Sequence, residues 1–119
     1  MKRCFFVLSL LLLLWPVFAF AGDIEGTYNC EGTNPNGGAY KGTVSIIKND
    51  ANYNVTWTIG AQVYVGVGLL EGDSFAVGYA DTKQGWFGIV VYKVKGDKLS
   101  GSWAMHGSGK NGTETLTRR

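Results

Sequence analysis

From Ile24 onward the sequence is a succession of short apolar runs, each set apart from the next by a tight-turn signal. The runs are Ile24 to Glu31, Ala39 to Lys48, Tyr53 to Ile59, Gln62 to Leu70, Ser74 to Ala80, Gly85 to Lys95, Leu99 to Met105 and Gly112 to Thr117. NPNGG, KNDAN, IGAQ, EGDS, ADTKQG, KGDK and GSGKN stand between them, each carrying the Gly, Asn or Asp that a sharp reversal uses. Strands spaced about 8 to 12 residues apart mark a sandwich or a barrel. Connections this short force neighbours to pair antiparallel, and no mature stretch repeats its apolar residues at the helical period. The expected fold is all-β: a single antiparallel up-and-down β-barrel of about eight strands, with a β-sandwich as the alternative.

Alternation assigns the faces. In Tyr53-Asn54-Val55-Thr56-Trp57-Thr58-Ile59 the odd positions are apolar and the even ones polar, so one side meets a core and the other meets water. Ile24, Gly26, Tyr28 and Cys30 form a similar inward stripe, as do Phe75, Val77 and Tyr79, and Leu99, Gly101, Trp103 and Met105. Trp57 and Trp103 are therefore expected in one core. The stretches Val63 to Leu70 and Phe87 to Val94 are apolar on both faces, which implies that their outer side is covered or binds something. Gly66, Gly68 and Gly78 interrupt such strands, where glycine weakens the ladder; closing a sheet into a barrel needs the bends and the space it provides.

The first 21 residues carry an address. Lys2 and Arg3, an apolar run from Cys4 to Leu14, and Ala19-Phe20-Ala21 read as a secretory signal peptide cleaved after Ala21, leaving residues 22–119 as one barrel domain. The apolar run is short for a membrane span, which leaves an uncleaved anchor as the rival reading. Of 11 basic residues Lys2 and Arg3 leave with the signal, so 9 face 9 acidic ones and the formal net charge of the mature chain is zero. Without a clustered basic field, neither nucleic acid nor an anionic membrane surface is expected as a partner. Cys30 is the remaining cysteine, so no intrachain disulfide forms, and its inward stripe reads as a buried hydrophobe, with an intermolecular bridge or a reactive thiol as the alternative.

Catalytic patterns are missing from the sequence. His106 is the lone histidine, and no H-x-H, C-x-x-C or H-E-x-x-H spacing supports a metal site. Closure between the first and last strands could bring Cys30 and His106 together, but an inward thiol away from positive charge is inert. GSGKNGT joins two strands and lacks the spacing of a phosphate loop. Glu25, Glu31, Glu71, Asp73 and Asp97 fall at strand ends or turns as solvated acids and form no glycosidase pair. Trp86, beside the polar loop Asp81 to Gly85, is the candidate recognition residue, with core packing at the barrel end as the equal alternative; Lys83 stands beside it in the loop, and Tyr64 and Tyr40 are lesser candidates.

G26-T-Y-N-C-E-G32 is similar to G101-S-W-A-M-H-G107, and their G-x-aromatic strand starts resemble small calycin-like barrels such as avidins and lipocalins. The order GTYNCEGTNPNGGAYKGTVSI, YNVTWTIG, YVGVGLL, FAVGYA, GIVVYKV, LSGSWAMHG and GTETL resembles a family of small exported bacterial proteins, some of which bear the description fibronectin-binding. That resemblance implies an extracellular-matrix or envelope protein as partner and supplies no catalytic residue.

The expected function is that of an exported, monomeric, non-enzymatic binding module in the periplasm or outside the cell, without cofactor, that contacts a protein through its surface. The alternatives are a small-molecule carrier using the barrel interior and an inhibitor of a secreted hydrolase. Interior volume favours the surface: Tyr28, Tyr53, Trp57, Phe75, Tyr79 and Trp103 all point inward, more aromatic bulk than an eight-strand barrel can hold beside a ligand.

Overall fold

A computed structural model describes residues 23–81 and 83–119; the expected signal peptide lies outside them. Eight strands follow in chain order: β1 (Gly26–Thr33), β2 (Ala39–Asn49), β3 (Asn52–Ile59), β4 (Gln62–Glu71), β5 (Ser74–Asp81), β6 (Trp86–Lys95), β7 (Lys98–Met105) and β8 (Gly112–Arg118). Each pairs antiparallel with the next, and β8 pairs back onto β1, from Tyr28 opposite Arg118 to Thr33 opposite Thr113. The sheet is a closed up-and-down barrel, which leaves no strand edge unpaired.

The two ends of the barrel are built differently. At one end β2–β3, β4–β5 and β6–β7 turn through two residues each, as the pairs Asn49 with Asn52, Glu71 with Ser74 and Lys95 with Lys98 fix. Gly72 and Gly96 take left-handed φ of 62° in two of these turns, a conformation that costs glycine little. The segment before β1 folds across this end. Ile24 is buried, its carbonyl accepts from the Tyr28 hydroxyl at 2.6 Å, and Arg118 lies over the Tyr28 ring while donating to the Glu25 carbonyl at 2.6 Å. The connections at the other end are mostly longer, with residues 34–38, 60–61, 83–85 and 106–111 described there, and they surround an open mouth.

Inside, Ile24, Tyr28, Phe75, Leu99 and Leu116 are at most 2 % exposed and fill the closed half, with the Phe75 ring stacked on Tyr92 and edge-on to Tyr53. Glycine gives these rings somewhere to lie. A Cβ at Gly68 would stand 2.6 Å from the Phe75 ring, and one at Gly88 would meet the Tyr79 ring at 2.7 Å. Gly32 and Gly112 stand in the same relation to Tyr40 and Trp103. The rings thus lie flat against bare backbone of neighbouring strands instead of pointing at the barrel axis. Gly78 differs. It faces outward, between Val67 and Ile89, and a Cβ there would meet nothing within 4 Å.

Candidate functional site

That flattening corrects the expectation of a filled interior. Beneath the mouth a cavity of about 350 Å³ remains, lined by Tyr40, Trp57, Tyr64, Tyr79, Trp86 and Trp103 together with Asn34, Ile59, Val90, Met105 and Glu114. Trp57 is buried, as its alternation requires. Trp103 is only partly buried, packed against the core near the mouth.

The aromatic wall has two parts. Trp57 and Tyr79 stand with ring centroids 5.5 Å apart, Tyr64 and Trp86 also at 5.5 Å, and Tyr79 and Trp86 at 5.9 Å. Tyr40 meets Trp103 at 6.4 Å in an edge-on arrangement. Tilted and edge-on pairs at these distances are favoured by the ring quadrupoles, so the wall is held in place by its own contacts.

The loop into β6 explains how Trp86 joins this wall. Asp81 ends β5 and its Oδ1 accepts from the backbone N–H of Lys83 and Gln84 at 2.9 and 3.1 Å, while its carbonyl accepts from Gly85 N–H at 2.8 Å. Gly85 then takes φ 78°, and the chain re-enters the sheet with Trp86 half-buried. Of the three residues expected to form a recognition edge, the structure brings Trp86 and Tyr64 together inside the mouth and leaves the Lys83 side chain exposed in the loop.

The polar centre of the cavity is Glu114, 5 % exposed and the one buried charged residue of the described core. Its Oε1 accepts from the Tyr40 hydroxyl at 2.7 Å, and its Oε2 accepts from Trp57 Nε1 at 2.9 Å and from the Tyr92 hydroxyl. All three donors are neutral, and among the described residues no lysine or arginine makes an ion pair with it. Its charge reaches its neighbours. Tyr79 is pushed up to about 12, first by burial and then by that carboxylate, and the same two causes in the same order raise Tyr40, Tyr92 and the Cys30 thiol. Trp103 Nε1 is a buried donor with no hydrogen-bond partner.

Glu114 escaped the reading of the sequence, which weighed only acids at strand ends and turns. The signal was there: Gly112, Glu114 and Leu116 share one face of β8, and Leu116 is fully buried. Cys30 is buried as its stripe implies, in register with Leu116 and Gly42. Cys30 and His106 do not meet, because His106 is exposed and stacks on the outward Phe87 at 4.5 Å. Among the described residues no three of His, Cys, Asp and Glu come together as a metal site would need.

The outside is asymmetric. Val63, Val65, Val67 and Leu69 of β4 and Phe87, Ile89 and Val91 of β6 are each more than half exposed, as their two-sided apolar sequence foretells. Between these ridges β5 presents only Ala76, Gly78 and Ala80, so the outer face of β4 to β6 is an apolar trough. The outer positions of β1, β2 and β3 are mainly polar, with Thr27, Asn29, Glu31, Lys41, Thr43, Asn54 and Thr58. A lipid-spanning barrel carries its apolar band all round, so this face is a one-sided patch.

No protein-family model and no curated protein matches the sequence. Among solved structures, the fold is similar to a redesigned β-barrel bound to DFHBI, at TM-score 0.65 and 16 % identity over 80 % of this chain and 94 % of that one. A second redesigned β-barrel is similar at TM-score 0.63 and 16 % identity, over 81 % and 91 % of the two chains. A de novo designed fluorescence-activating β-barrel is similar at TM-score 0.56 and 14 % identity, over 80 % and 93 %. These likenesses establish the eight-strand antiparallel barrel and concern the fold alone.

Proposed function

We propose that the chain is an exported, non-enzymatic protein that binds a small molecule in the mouth of its barrel. The observation that carries this reading is the cavity of about 350 Å³, concave, walled by aromatic rings and provided with one buried polar centre. Small-molecule sites have this composition, and the volume lies at the lower end of their usual range of about 300 to 1,000 Å³. The redesigned barrel of similar fold that is bound to DFHBI supports the architecture as a ligand holder. Titrating the protein with a panel of small aromatic and aliphatic compounds while recording tryptophan fluorescence tests the reading. Saturable one-to-one binding that Trp86→Ala weakens at least about tenfold is expected. Saturable binding left unchanged by both Trp86→Ala and Tyr64→Ala would overturn it.

A second reading rests on the outer trough. The seven half-exposed side chains of β4 and β6 offer on the order of 700 Å² of apolar surface, close to the ~800 Å² per partner of a standard interface and above the ~300 to 600 Å² of an ordinary monomer's largest patch. A ridge, trough and ridge in that order can mate with its own copy about a two-fold axis, each β4 ridge entering the other trough. The occupant this shape fits is a second copy of the chain. Sedimentation should show a dimer at micromolar concentration and a monomer for Ile89→Lys. A monomer that instead binds immobilised fibronectin, and loses that binding in Ile89→Lys, would overturn the dimer and give the face to a matrix partner.

A further inference from the structure

The cavity carries an imbalance that its own residues do not resolve. Burying an ionised carboxylate is costly unless a cation joins it, because three neutral donors satisfy its lone pairs without cancelling its charge. Glu114 receives those three donors, Tyr40, Trp57 and Tyr92, and no cation among the described residues. None of the cavity-lining residues is a lysine, arginine or histidine. A fold that keeps such a charge in its core breaks a rule of stability, and such departures concentrate at functional sites.

The wall points the same way. The faces of Trp, Tyr and Phe rings are the negative ends of their quadrupoles, and a cation within about 6 Å of a ring centroid is attracted to them. Trp57, Tyr64, Tyr79 and Trp86 form a continuous series of rings around one side of the cavity, with Tyr40 and Trp103 on another. An aromatic enclosure with one carboxylate at its base offers a positive guest both a charge partner and ring faces. It offers an anion neither, and gives a neutral guest ring faces and the polar groups of Asn34 and Glu114 but no charge pairing.

We infer that the mouth cavity binds a small organic cation, an ammonium group carried on a compact apolar or aromatic body, seated among the rings above Glu114. The inference rests on the small-molecule reading of the same cavity. Burial is the first cause of the upward displacement of the surrounding tyrosines and of Cys30 and favours no charge of either sign, but its second cause, the field of the Glu114 carboxylate, is one that a positive guest would meet as an attraction.

Three probes of nearly equal shape separate the cases: phenyltrimethylammonium, its neutral counterpart tert-butylbenzene, and the anion benzenesulfonate. Each is titrated into the purified protein while the indole N–H signals of Trp57, Trp86 and Trp103 are followed by NMR. The ammonium is expected to bind at least about tenfold more tightly than the neutral probe, and benzenesulfonate more weakly than both. Glu114→Gln, which keeps the shape and removes the charge, should shrink the preference for the ammonium to within about threefold. If that variant does not fold, the selectivity of the unaltered protein decides alone. Equal or tighter binding of tert-butylbenzene would overturn the cation while leaving the cavity as a binding site. Failure of all three probes to move any of the indole signals would overturn both.

Discussion

The two ends of the barrel are made from the same ingredients and do opposite things. At the closed end Tyr28, Tyr53 and Phe75 are at most 5 % exposed, the turns are two residues long, and the segment from Asp23 to Glu25 is tied across the opening by Arg118. At the mouth Tyr40, Tyr64, Tyr79, Trp86 and Trp103 are only partly buried, around a cavity. Both ends use aromatic rings laid against glycine of adjacent strands. What differs is whether aliphatic side chains fill the remaining space. Ile24, Leu99 and Leu116 do so at the closed end, and none of the described residues fills the space over Glu114 in the same way. The closed half is therefore the part that stabilises the fold, and the mouth is the part free to bind.

Shortening a side chain in the closed half should have the largest effect. Phe75→Ala removes a fully buried ring that contacts Tyr53 and Tyr92, and should cost about 3 to 5 kcal/mol in urea unfolding. A cost near that of a surface substitution would erase the distinction between the two ends.

The glycines sharpen the comparison further. Gly68→Ala drives a methyl group to 2.6 Å from the Phe75 ring, which is fully buried and cannot give way, so a loss of about 1 to 3 kcal/mol is expected. Gly78→Ala, on the next strand but facing open space, should leave the melting temperature unchanged or slightly raised. Equal losses for the two would show that glycine serves strand bending at both positions rather than space for a ring.

Alkaline pH should loosen the mouth. The ordinary tyrosine value is 10.0, and Tyr79 is held at about 12 in the folded chain, so between these values the unfolded state releases its proton first. The unfolded state then binds fewer protons, and stability, fully present below pH 10, falls as pH rises toward 12. Tyr40 and Tyr92 are displaced in the same direction and add to the fall. The denaturant midpoint measured against pH checks this; a midpoint constant from pH 9 to about 12 would contradict it.

Among the aromatic truncations the smaller stability effect belongs to Trp86→Ala. The ring is half-buried at the rim, and its removal should cost only about 1 kcal/mol while weakening ligand binding. A stability loss matching that of Phe75→Ala would make Trp86 a core residue and not part of a binding wall.

The strands and their order could be read from the sequence because alternation and turn residues are local signals. Tyr53 to Ile59 shows its inward face without reference to any other strand, and Gly72 and Gly96 mark their own turns. The cavity could not be read that way. Counting inward rings assumes that each occupies the barrel axis, whereas Tyr40, Tyr79 and Trp103 lie sideways over glycines of other strands, a relation that only the register between strands defines. Glu114 was hidden by a similar step. A lone acid between two threonines reads as solvated when taken by itself; its alternation with Gly112 and Leu116 puts it on the inner face, and the pairing of Glu114 with Gly32 and Gly101 brings it to where Tyr40, Trp57 and Tyr92 converge. Trp86 was singled out for its loop, yet its ring turns in toward Tyr64 and Tyr79.

The account depends on binding taking place inside the mouth and not on the outer trough, and NMR on one sample can watch both. With indole N–H signals of Trp57, Trp86 and Trp103 reporting on the cavity and methyl signals of Val67, Ile89 and Val91 reporting on the outer face, the protein is titrated with phenyltrimethylammonium and with tert-butylbenzene. The account predicts that at least one probe shifts the three indole signals together, with saturation, while the three methyl groups stay where they were. Shifts confined to Val67, Ile89 and Val91, with the indoles unmoved by either probe, would contradict it.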